Sequence, residues 1–217
     1  MKIIDLGLIS FKDAEAVQTR RVQEVAEGAE NTLYLLEHTP VVTLGRQGGM
    51  ESLKVSPEYL AVQGIELVQT RRGGNITCHY PGQLVAYPVF RLERKIGGVR
   101  GFFRAMEEVA IRMLAGFGIS GERLEGHAGV WVRAKKIASM GIAVRRWVTY
   151  HGLSLNVSRD LSIFSLMNPC GMDHVAPTSV HQELGANAPD MAEMKNACAR
   201  EFREVFTHSQ VAARKAS

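Results

Sequence analysis

The chain has 217 residues, of which 46% are hydrophobic and 22% charged, and 26 lysines and arginines set against 22 acidic residues leave a formal charge of +4. That balance belongs to an ordinary globular protein with one sizeable core, so a single domain over residues 1–217 is expected and disorder is not. The positive excess is small and dispersed, with only short pairs in RRGG (71–74) and VRRW (144–147), which argues against nucleic acid as a partner. No apolar stretch reaches the eighteen or so residues of a membrane span, and Asp5 interrupts the N-terminus before a signal-like region develops, so no membrane partner and a cytoplasmic location are expected.

Residues 2–6 read as a strand, followed by a helix over 11–27 in which Ala14, Val22 and Val25 approximate an apolar face and Gly28 offers a stop. LYLLEH (33–38) and VVTLG (41–45) read as strands of a core sheet, separated by Thr39 and Pro40. IELVQT (65–70) leads into RRGGNITCHYPGQLVAYPVF (71–90), where two short extended segments flank a loop. Its paired glycines can bring backbone close to a ligand, making it a candidate binding loop.

Over 101–117, Phe102, Met106, Val109, Met113 and Phe117 recur at helical spacing and predict a core-facing amphipathic helix. GVWV (129–132), KIASMGIAV (136–144) and YHGLSLNV (150–157) predict successive strands separated by tight turns. In the last of these, Leu153, Leu155 and Val157 alternate with Ser154 and Asn156, the pattern of a strand with one buried face, and His151 lies at its start. SVHQELG (179–185) reads as a short helix capped by Ser179 and ended by Gly185. Asn187 and Asp190 announce a final helix with Met191, Met194, Cys198, Phe202 and Val205 along its buried stripe. Strands and amphipathic helices in one chain give a mixed α/β, or α+β, fold class.

Three cysteines, Cys78, Cys170 and Cys198, form no CxxC pair and read as free thiols. Cys170 sits in MNPCGM (167–172), between a proline and a glycine. A thiol acts as a nucleophile only as its thiolate, so a cation must lower its pKa from about 8.5. Lys135, Lys136, His79 and His151 are available for this, and because neighbouring strand residues point to opposite faces, one of the two lysines faces inward. Neither GRQGGM (45–50) nor the RRGG loop has the GK[ST] ending of a nucleotide-binding loop, and Cys78, His79, Cys170 and His174 lack the compact arms of a zinc site, so no metal is expected.

RRGGNITCHYPGQLVAYP (71–88), GVWV, KIASMGI (136–142), HGLSLNV (151–157) and NPCGM (168–172), in this order, resemble the octanoyltransferase family, which is similar in fold to biotin and lipoate protein ligases. The resemblance implies a mixed-sheet catalytic domain that needs no cofactor. It would move an octanoyl group from octanoyl-acyl carrier protein to a lysine of apo lipoyl domains in 2-oxoacid dehydrogenase complexes and the glycine cleavage H protein. It implies Cys170 as nucleophile and Lys136, not Lys135, as its partner. The implied acyl contacts are Arg72, Gly73, Gly74, Asn75, Ile76, Thr77, Cys78 and His79, with Ser139, Met140 and Gly141, and with Gly152, Leu153 and Ser154; His151 is a supporting polar residue. Three positions depart from the family pattern: Asn75, Cys78 where an aromatic is common, and Tyr80 where glycine is commonest. A small thiol in place of an aromatic is expected to reshape the acyl pocket. The competing readings are an ATP-dependent lipoate or biotin ligase of the same fold and a noncatalytic carrier-binding protein.

Overall fold

In the computed structural model, residues 1–93, 97–168 and 176–214 are described, with side chains as far as Thr207. In chain order the elements are β1 (Lys2–Ile9), α1 (Phe11–Ala26), β2 (Thr32–His38), β3 (Val41–Leu44), α2 (Pro57–Val62), β4 (Glu66–Gln69), β5 (Ile76–His79), β6 (Gln83–Val89), α3 (Gly98–Ala115), β7 (Glu122–Leu124), β8 (His127–Val132), β9 (Lys135–Arg145), β10 (Val148–Asn156), α4 (Val180–Leu184) and α5 (Met191–Arg214). Seven strands form one sheet in the order β1-β2-β6-β10-β9-β8-β7, and three form a second in the order β4-β3-β5. The mixture of a large, mostly antiparallel sheet with helices on both faces is the expected α+β class.

The two faces of the large sheet follow from the residue pattern. Leu33, Leu35, Leu84, Leu153 and Leu155 pack under α3 and α5, whose Phe102, Met106, Met194, Cys198 and Phe202 are all buried there. Tyr34, Leu36, Val85 and Tyr87 face the other way, toward Ala14, Val22 and Val25 of α1. Ser10 starts α1 by accepting a hydrogen bond from the Asp13 N–H at 3.1 Å, a cap that contributes about 1 kcal/mol. Asp190 and Glu193 exchange reciprocal side-chain-to-backbone bonds at 2.8 and 2.9 Å at the start of α5.

Two hairpins connect β8–β9 and β9–β10 through two-residue turns, Arg133 and Ala134 (φ 48° and 63°) and Arg146 and Trp147 (φ 52° and 60°). Both central residues are left-handed, the turn whose twist suits paired strands, here made without glycine. Three expectations need correction. β2 and β3 belong to different sheets, because two apolar runs carry no record of which strand each will pair with. β10 is buried on both faces, Ser154 and Asn156 being 4% and 5% exposed, since their side lines a cavity instead of solvent. His151 lies within β10, three residues after its start.

Candidate active site

The segment 71–75 between β4 and β5 is held from three sides. Arg72 is buried and braces it from within, Nη2 donating to the Thr43 carbonyl at 2.6 Å and Nε to Thr43 Oγ1 at 3.1 Å. Backbone bonds from Gly45 to Asn75, Arg46 to Arg72 and Gln47 to Gly74 lay GRQGGM alongside it, and the Gly73 N–H donates to Ile142 of β9 at 2.9 Å. Gly141 is needed for that approach, because a Cβ there would fall 2.8 Å from the Gly73 carbonyl oxygen. Asn75 Oδ1 accepts from the Ile76 N–H at 2.7 Å and from Ser52 Oγ at 3.0 Å, so its side chain is fixed as part of the loop.

Between this loop, β5 and the face of β9 and β10 lies a cavity of about 880 Å³, its open mouth included, with a mostly apolar lining. Arg72, Gly74, Asn75, Ile76, Thr77, His79, Lys136, Ser139, Met140, Gly141, His151, Gly152, Leu153 and Ser154 all line it. Gly73 and Cys78 do not. Side chains alternate along β5, and Cys78 faces a core of Val42, Leu44, Leu60, Ile76, Tyr80 and Met167. Burial there pushes its thiol pKa far up. Cys78, expected to reshape the acyl pocket, is thus packed into that core and is not among the residues lining this cavity. Tyr80 is in the same core, its hydroxyl donating to Asn156 Oδ1 at 3.4 Å.

Lys136 is half-buried and lines the cavity while Lys135 is exposed. The Lys136 ammonium stands 5.1 Å from the centre of the Trp131 ring, within cation–π range. Its backbone N–H donates to Ala176 at 3.0 Å and its carbonyl accepts from Thr178 at 2.9 Å, so the chain returning from the NPCGM segment is stitched to Lys136. On the other side of that segment, the Asn168 N–H donates to Ser52 at 2.9 Å. Cys170 itself lies outside the described residues, as does His174.

Three buried imidazoles, His38, His79 and His151, gather with Phe11 and Tyr87; all of these but His38 line another part of the cavity. His38 is held at both nitrogens, by the Ile9 carbonyl at 3.0 Å and the Tyr87 hydroxyl at 2.8 Å, and His79 Nδ1 meets Gln83 Oε1 at 2.7 Å. His151 has left-handed backbone (φ 58°), its N–H donating to Gln18 Oε1 at 2.7 Å. That conformation carries its ring onto the α1 side beside Tyr150, and neither ring nitrogen has a hydrogen-bond partner among the described residues. Burial lowers all three pKa values, to about 4 for His38 and about 3 for His151, so these rings are neutral at ordinary pH.

Phe11, Tyr87, Ala128, Asn156, Phe164 and Pro177 also line the cavity and were not singled out in the sequence. Asn156 had a signal, a polar residue continuing the alternation of LSLN; Phe11 read only as the start of a helix. Among the described residues, no group of three or more His, Cys, Asp or Glu is placed to hold a metal ion. Nor is any helix among them long and apolar enough to cross a membrane.

Residues 11–203 match the family model of the lipoyl protein ligase A/B catalytic domain. The chain is 58% identical over 217 residues, all of both chains, to an octanoyltransferase of Nitratidesulfovibrio vulgaris (strain DSM 19637 / Miyazaki F). It belongs to the octanoyltransferase family. A more distant member, an octanoyltransferase of Chloroflexus aggregans, is 45% identical over 198 residues, 89% of each chain. Among solved structures, the bi-partite lipoate protein ligase of Thermoplasma acidophilum superimposes with a TM-score of 0.72 at 19% identity, covering 99% of this chain and 90% of that one. At that identity the likeness shows the fold alone, and a fold shared by ligases and transferases does not choose between them.

Proposed function

We propose that this octanoyltransferase works as one catalytic domain over residues 1–217, in the cytoplasm, and passes the octanoyl group through a thioester on Cys170. The Cys170 thiolate attacks the carbonyl carbon of octanoyl-acyl carrier protein; the carbon–sulfur bond to the carrier breaks, and the carrier thiolate leaves and takes up a proton from the Lys136 ammonium, which is left neutral. The neutral amine of a lysine on an apo lipoyl domain, such as those of 2-oxoacid dehydrogenases or the glycine cleavage H protein, then attacks the Cys170 thioester. A carbon–nitrogen bond forms, the bond to Cys170 breaks, and the proton released by the amine returns to the Cys170–Lys136 pair. A thioester is already activated, so neither step consumes ATP.

The observation that carries this reading is Lys136. Its ammonium lies at an apolar cavity, and its backbone is bonded to Ala176, six residues after Cys170. A fixed cation there lowers a thiol pKa toward neutrality, and once the thiol is acylated the same lysine can accept the proton of the incoming amine. Backbone N–H groups of the glycine-rich loop supply donors for the oxyanion. The test is transfer from octanoyl-acyl carrier protein to an apo lipoyl domain without ATP, read as a mass gain on the lipoyl domain. Modification only when free octanoate and ATP are both supplied would replace this reading with a ligase.

A further inference from the structure

The cavity crosses the face of the large sheet. Lys136 stands on β9, Ser154 and Asn156 line it from β10, and Tyr87 lines it from β6, the next strand over. Two strand spacings separate β9 from β6, about 10 Å. An eight-carbon zigzag with bonds of about 1.5 Å spans roughly 9 Å.

On the β6 side the cavity is lined by the rings of Phe11, His79, Tyr87 and His151. Phe11 is 1% exposed and lies nearly parallel to His79, with centroids 6.2 Å apart and 9° between planes, and to His151, at 6.0 Å and 12°. It is tilted against His38 at 5.4 Å. His38 and His79 are hydrogen-bonded in place, and Phe11 is the first residue of a helix whose cap fixes its backbone. A wall so anchored does not swing aside for a longer chain. Phe11 is also the member of this group whose side chain has no polar atom, so trimming it enlarges the space without orphaning a hydrogen bond.

We propose that Phe11 is the end stop of the acyl channel and sets the longest chain this enzyme transfers efficiently, an inference that rests on the acyl-transfer reading above. Cys78, the departure expected to reshape the acyl pocket, does not line the cavity, whereas Phe11 does. An apolar pocket discriminates about tenfold or more per methylene, so removing a phenyl ring should be plainly visible in substrate choice.

The test measures kcat/KM for hexanoyl-, octanoyl-, decanoyl- and dodecanoyl-acyl carrier protein with wild type, Phe11→Ala and Phe11→Leu. The dodecanoyl-to-octanoyl ratio should rise at least tenfold in Phe11→Ala and by less in Phe11→Leu, with circular dichroism confirming the fold. Should the alanine protein not fold, Phe11→Leu and Phe11→Met still have to raise the ratio. Folded variants that keep the wild-type ratio, or lose all chain lengths in proportion, would overturn the end stop and leave the transfer reading standing. A wild-type enzyme that transfers no octanoyl group would sink both.

Discussion

The Lys136 side chain lies directly over Gly129, where a Cβ would fall 2.8 Å from Lys136 Cε and 2.4 Å from the Ala138 carbonyl oxygen. Gly129 has φ +113°, and its N–H donates to the buried Glu107 carboxylate at 3.3 Å, which also pairs with Arg123 at 3.1 Å. A glycine here gives the lysine its place. Gly129→Ala is expected to cost about 1–3 kcal/mol of stability from backbone strain and to displace the ammonium. Cys170 loading should then slow at least tenfold at pH 7, with its pH midpoint shifting upward because the cation that favours the thiolate has moved. Octanoyl loading followed against pH checks this; an unmoved midpoint in Gly129→Ala would mean that the lysine is not positioned by the space above residue 129.

The buried histidines predict acid sensitivity. His38, His79 and His151 have folded pKa values below their unfolded value of about 6.5, because burial disfavours the imidazolium. Below that pH the unfolded chain binds more protons than the native one, so stability falls as pH falls, by up to about 1.4 kcal/mol per pH unit for each ring. Above pH 6.5 these rings contribute no slope. Melting temperature measured between pH 4 and 8 should drop steeply on the acid side. His151→Asn, which keeps a residue tolerant of left-handed backbone, should flatten that slope by about one proton. An unchanged slope in the variant would show that His151 does not titrate with unfolding.

Cys78 separates packing from specificity. Its side chain is fully buried in the core behind β5, so Cys78→Ala should lower stability by about 1 kcal/mol. The ratio of octanoyl to decanoyl transfer should stay where it is. A change in that ratio, measured from kcat/KM with each acyl carrier protein, would return Cys78 to the acyl wall.

Much of this site was legible as composition and spacing, and the remainder depended on direction. Strand alternation said that one of Lys135 and Lys136 faces inward, yet the choice required the resemblance, because consecutive lysines are chemically identical to a pattern. Ser154 and Asn156 looked like a solvent face, since polarity reports only that a side is not packed with hydrocarbon; here that side borders a cavity. β7 went unread because all three of its residues are exposed and offer no apolar period. The left-handed backbone at His151 lies within β10 and meets Gln18 of α1, an element far away in the chain, and nothing local announces it. Phe11 has the same character: an apolar helix residue in sequence, an end wall in space.

The proposed transfer passes through a covalent acyl-enzyme on Cys170. Intact-protein mass spectrometry after mixing the enzyme with octanoyl-acyl carrier protein, followed by peptide mapping, tests it most directly. One octanoyl adduct is expected on the peptide containing Cys170, absent in Cys170→Ala, that disappears as an added apo lipoyl domain gains the same mass. Full transfer by Cys170→Ala, or an adduct mapped to Cys78 or Cys198, would contradict it.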